Sequence, residues 1–189
     1  MSTANNQRGF TLLEVLIVAS ITGFITTFLL INFSRTRISF VEEANIFKSK
    51  IRITQTKAVS STQFNNSIRC GYGIRYISNQ SYSIYAGENA STLDCSTQNK
   101  DYNPAGGSDN DVDIEVLNFA DSRIEFKTIF RAIFFEPPDP KTFIVDSGGT
   151  VHNVTDEPNY SLGITIGKVG GTCPGDCKTI NVSTSGKIE

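Results

Sequence analysis

Histidine occurs once in these 189 residues, as His152, and no serine or cysteine nucleophile motif accompanies it, so the chain offers no footing for a catalytic dyad. The four cysteines have no histidine at metal-ligand spacing, which sets a zinc site aside. Seventeen Lys and Arg stand against nineteen Asp and Glu, a formal net charge of −2, so no bulk basic field draws the chain to nucleic acid or anionic lipid. Internal repeats and low-complexity tracts are missing. No charge falls between Glu14 and Arg35, and neither proline nor glycine falls between residues 24 and 60, so nothing in the latter stretch would break a helix. No small-residue cleavage site follows the apolar run, as an ordinary secretory signal would require.

What the chain does have is a polar leader ending in Arg8-Gly9, then Phe10-Thr11-Leu12-Leu13-Glu14 and an apolar run to Phe33. Those 24 residues, at about 1.5 Å each, are enough to cross a hydrocarbon core of roughly 30 Å. A lone carboxylate inside such a segment is costly unless something uses it, so Glu14 is the leading functional residue. It sits well for its own helix dipole and for pairing with a neighbouring amino terminus; the bland alternative is that it merely reaches headgroup water. Beyond the span, Ile38, Val41, Ala44, Phe47, Ile51 and Ala58 recur at helical spacing among charged residues, which predicts that the helix continues to about residue 60 as an amphipathic element.

From Ser60 the composition shifts to Ser, Asn, Thr and Gly. Strand-type runs are expected at 68–77, 82–86, 112–117, 123–135, 142–145, 160–167 and 178–182, forming antiparallel sheet, with loops at 99–111, 137–140 and 170–176. Four cysteines in such a domain fit two disulfides in an oxidising compartment. Of three possible pairings, Cys70 with Cys95 and Cys173 with Cys177 is favoured, because Cys-Pro-Gly-Asp-Cys suits a tight closed turn. Chain-entropy arithmetic gives the longer loop about 3.5 kcal/mol and the shorter about 2. A thioredoxin-type redox role for the second pair lacks the electropositive helix start it would need.

The run Gly9-Phe10-Thr11-Leu12-Leu13-Glu14-Val15-Leu16-Ile17-Val18 resembles the class III signal of type IV prepilins and type II secretion pseudopilins, with Arg8 where many members carry Lys. The resemblance implies cleavage between Gly9 and Phe10 by a prepilin peptidase, N-methylation of Phe10, and a Glu14 that guides assembly. It also implies an α+β, pilin-like fold: leader 1–9, transmembrane half-helix 10–33, amphipathic half-helix 34–60 and a β-rich domain 61–189. On fewer residues, Gly71-Tyr72-Gly73-Ile74, Phe134-Phe135-Glu136-Pro137-Pro138-Asp139-Pro140, Ile180-Asn181-Val182 and Ser185-Gly186-Lys187-Ile188 resemble the minor GspH/FimT-like branch. The implied partners are other pilins in a filament, the peptidase, an inner-membrane assembly platform and the bacterial inner membrane, crossed once. Counting positive charges would keep the carboxyl side inside, since Arg35, Arg37, Lys48, Lys50 and Arg52 follow the span; the resemblance and the cysteines imply export.

Other candidates weigh less. Asp109, Asp111 and Asp113 alternate as calcium ligands do, and some pilin-like proteins bind calcium. The run lacks the glycine and the terminal acid of a calcium loop, Ala120 standing at the twelfth position, so a solvated loop and no cofactor is the favoured reading. DNA capture, known in the FimT-like branch, would rest here on Lys168, Lys178 and Lys187 beside Asp176 and Glu189, without arginine's bidentate fork. Sequons at Asn65, Asn79, Asn89, Asn153 and Asn181 read as coincidence. The expected function is a minor pilin or pseudopilin and not an enzyme; the competing class is a pilin-anchored module recognising DNA, another cell or a secreted substrate through its loops.

Overall fold

Apolar residues at 40, 44, 47, 51 and 58 put one stripe on a helix, and in the computed structural model that stripe is the buried face of helix α1, Leu12–Val59. The structure describes residues 11–60 (with no side chains at 31–39), 63–91, 94–104, 110–138 and 141–189. The chain divides into two units, Met1–Ile38 and Ser39–Glu189. In the second unit Phe40, Ala44, Phe47, Ile51 and Ala58 are buried, while Val41, expected on the packing face, is 36% exposed. The stripe is otherwise as expected; at its start Phe40, the larger side chain, takes the buried place in Val41's stead.

Eleven strands follow among the described residues: β1 Gln63–Phe64, β2 Ser67–Ile68, β3 Tyr72–Ser78, β4 Ser81–Ala86, β5 Val112–Asn118, β6 Ile124–Phe126, β7 Ala132–Glu136, β8 Lys141–Val145, β9 Val151–His152, β10 Ser161–Lys168 and β11 Cys177–Ser183. All pairings are antiparallel. They form a hairpin β1-β2, a six-stranded sheet β5-β4-β3-β7-β8-β9 and a three-stranded sheet β11-β10-β6. The hairpin turns on Asn65 and Asn66, both at positive φ (52° and 57°), a conformation asparagine tolerates better than most residues.

Two expected strands divide. The run 68–77 becomes the end of β2 and nearly all of β3, and 123–135 becomes β6 and β7, which lie in different sheets. The physical reason for the second break is a change of partner: β6 pairs with β10, β7 with β3 and β8.

Alternation along β3, β4, β7 and β8 sends Tyr72, Ile74, Tyr82, Ile84, Ile133, Phe135 and Ile144 into one core with the helix stripe, joined by Phe126, Ile164, Ile166, Ile180 and Val182 of the smaller sheet. Phe47 links the two sheets, packing edge-on against Tyr82 (4.9 Å) of one and Phe126 (5.1 Å) of the other.

The opposite face of the large sheet is also covered. Tyr85, Ala132, Phe134 and Val145 form a second buried cluster with Tyr102 and Phe143. The covering segment 94–104 is tied down by the Cys70–Cys95 disulfide and by Lys100, which donates to Glu136 (3.0 Å) and to the Cys95 carbonyl (2.9 Å) and lies over the Phe134 and Phe143 rings. Glycine at 73 is required by this packing, since a Cβ there would come within 2.4 Å of the Tyr85 ring. The free edge of β11 is partly closed by the chain's last residues: Ile188 bridges Val182, and Glu189 exchanges two backbone hydrogen bonds with Asn181.

Candidate functional site

Thr11 and Glu14 stand three residues apart at the start of α1, and that spacing builds a reciprocal cap. Glu14 donates its backbone N–H to Thr11 Oγ1 (3.3 Å), and Glu14 Oε2 accepts from the Thr11 backbone N–H (3.3 Å) and hydroxyl (3.2 Å). Such a capping box satisfies helix-start donors and places a negative charge at the positive end of the helix dipole. The lone carboxylate of the apolar segment therefore has a use inside its own chain. Thr11 is the residue sequence reasoning missed, although the Thr-x-x-Glu signature was there to be read.

Beyond the cap, Leu12–Leu30 forms a 19-residue stretch with a mean hydropathy of 2.1 and no side chain buried within the protein. Phe24 is 74% exposed, and Leu12, Leu16, Phe28 and Leu30 are exposed on the same scale. The hydroxyls it carries are satisfied within the helix: Ser20 donates to the Leu16 carbonyl, Thr22 to Val18, Thr26 to Thr22 and Thr27 to Gly23, at 2.7 to 2.8 Å. A segment apolar on every side, with its polar groups paired internally, is suited to lipid or to other such helices and unsuited to water.

The remaining sequence candidates are dispersed. Gly9, Phe10 and Asp109 lie outside the described residues. Asp113 is already engaged, by Arg75 (Nε 3.0 Å, Nη2 2.7 Å), Ser83 (2.6 Å) and Tyr102 (3.1 Å); burial works against its charge, but these donors hold it below the usual carboxylate range. Asp111 is buried and accepts from Gln98 and Asn103. Among the described residues, no group of three His, Cys, Asp or Glu side chains is placed to hold a metal ion.

Cys173 is bonded to Cys177, closing the turn between β10 and β11. Lys168 pairs with Asp176 (2.9 Å) and Lys187 with Glu189, while Lys178 is exposed, so two of the three lysines in the carboxyl-terminal region face carboxylates. His152 stacks on Tyr160 (3.7 Å), with Nδ1 2.7 Å from Glu157 and Nε2 3.4 Å from Asp146. Its near neighbours are carboxylates and a ring, an arrangement that ties β9 to the loop before β10.

A family model for the prokaryotic N-terminal methylation motif matches residues 4–30. No curated protein matches the chain. Among solved structures, the crystal structure of the type IV minor pilin FimU of Pseudomonas aeruginosa (strain PAO1) is similar at 13% identity and a TM-score of 0.44, over 81% of this chain and 88% of that one. The amino-terminal segment, with its capped and unburied apolar helix, thus carries a prokaryotic N-terminal methylation motif.

Proposed function

We propose that the protein is a minor subunit of a type IV pilus or type II secretion pseudopilus, assembled through its amino-terminal helix, and that it is not an enzyme. The observation that carries this reading is the methylation motif over residues 4–30, running into an apolar helical stretch that buries nothing within its own chain. On this reading residues 1–9 are the leader, a prepilin peptidase cuts before Phe10, and the new amine is methylated. Glu14 first caps its own helix. As the subunit leaves the inner membrane, the carboxylate exchanges its Thr11 hydrogen bonds for an ion pair with the Phe10 amine of a neighbour, where the low dielectric strengthens the pairing.

Two further features support the reading. In the second unit α1 leaves Val41 and Val59 exposed on one flank of its buried stripe and Ile46 and Ile53 on the other, apolar positions that neighbouring helices in a bundle can cover. The two disulfides favour export of the soluble unit into an oxidising compartment, against the simple count of flanking positive charges.

The test is the intact mass of protein purified from its native membrane, with and without prepilin peptidase in the cell. The expected species begins at a methylated Phe10 only when the peptidase is present. An uncleaved chain in both backgrounds overturns the proposal.

A further inference from the structure

Asp111 lies just ahead of β5, 4% exposed, beneath the segment that covers the outer face of the large sheet. Its carboxyl fastens that segment at two points, accepting the Asn103 backbone N–H (2.8 Å) and Gln98 Nε2–H (3.3 Å). Gln98 is 5% exposed, and its Oε1 is buried without a hydrogen-bond partner among the described residues. Arg69, 6% exposed, donates Nη1 to the carbonyls of Gly87 (3.4 Å) and Asn110 (3.2 Å). The charged groups facing Asp111 are Arg69, which favours its ionised form, and Glu88, which opposes it. Asp111 in turn acts on the buried Tyr85 hydroxyl, which also has no hydrogen-bond partner among the described residues.

The pair admits two hydrogen-bonding arrangements. With Nε2 turned to the carboxyl, as in the structure, Oε1 is left stranded. A neutral carboxyl can donate its O–H to Oε1 after the amide turns over, with no buried charge against Glu88. We propose that Asp111 and Gln98 form a protonation-dependent latch, which holds segment 94–104 closed over Tyr85 and Phe134 when the carboxyl is neutral and loosens when it ionises. This is independent of the assembly role.

Burial is the main force raising Asp111, to about 7 from an ordinary 3.8; the Asn103 and Gln98 hydrogen bonds and Arg69 pull the other way, and Glu88 adds to the rise. The closed state therefore binds the proton more tightly than the open one. Its advantage is complete below the ordinary carboxyl value, is lost as pH climbs from there to about 7, and changes no further above it. With an ordinary carboxyl in the open state, the opening equilibrium rises on the order of 30-fold from about pH 5.5 to about pH 8.5.

The test is hydrogen exchange of peptides covering 94–104 in the full chain in detergent micelles at those two pH values, corrected for the intrinsic rates, for wild type and Asp111→Asn. The latch predicts the 30-fold rise in wild type and less than about 3-fold in the variant, whose amide cannot ionise. A pH-independent wild type, or the same rise in both proteins, overturns it. If Asp111→Asn does not fold, the carboxyl carbon signal of Asp111 in wild type decides: a midpoint near neutrality upholds the latch, and one in the ordinary carboxyl range overturns it.

Discussion

Residues 12–30 and residues 40–59 belong to one run of α-helix and meet opposite demands. The first stretch buries none of its side chains within the protein and pairs its hydroxyls with its own carbonyls. The second commits Phe40, Ala44, Phe47, Ile51 and Ala58 to a core shared with two sheets and leaves polar groups outside. Helical geometry is common to both; what differs is the width of the apolar surface, all round in one and a single stripe in the other. A helix apolar all round needs a surrounding that its own chain does not supply, whereas a striped helix finds that surrounding in its own domain. The difference assigns folding stability to the second stretch and anchoring to the first.

The largest test of that division is Phe47→Ala. Removing the ring that joins both sheets is expected to cost about 3–5 kcal/mol of domain stability, read by chemical denaturation in detergent, with membrane association unchanged. Ile21→Arg is the converse. A charge near the middle of the apolar stretch costs about 3 kcal/mol of insertion, so the membrane fraction falls while the unfolding transition of the soluble unit stays where it was. If either substitution moves both readouts together, the two stretches are not independent. The smallest effect is expected from Thr11→Ala, which removes half of the capping box at a cost of about 1 kcal/mol; amide exchange should quicken in the first helical turn only, and Thr11→Ser should restore it.

The helix, its change of character and most strands were legible because they rest on local periodicity, which residues such as Phe47, Ile74 and Ile84 display plainly. The breaks were not. Residues 123–135 read as one strand because nothing within them announces that Phe126 pairs across to Ile166 while Ile133 pairs with Ile74 and Ile144. Val41 and Phe40 show the same limit at finer grain, since a period of 3.6 allows either to be the inward residue and only the opposing sheet chooses. At the amino terminus the motif points to Glu14, whose nearest partner, Thr11, is set by the local geometry of the helix start. The cluster of Asp111, Gln98 and Arg69 was beyond reach altogether, because its members are separated by 13 to 42 residues and meet only through the fold.

On the proposed function, Glu14 caps its own helix start and then serves assembly, with no part in the folding of the second unit. The most direct measurement is the amount of Glu14→Ala protein in sheared filaments relative to the membrane fraction, set against wild type. The expected result is an unchanged membrane fraction, an unchanged unfolding transition and at least about a tenfold loss from filaments, the effect of removing a partly desolvated ion pair worth about 1.4 kcal/mol or more. Normal incorporation of the variant would contradict it and leave the carboxylate as nothing more than a helix cap.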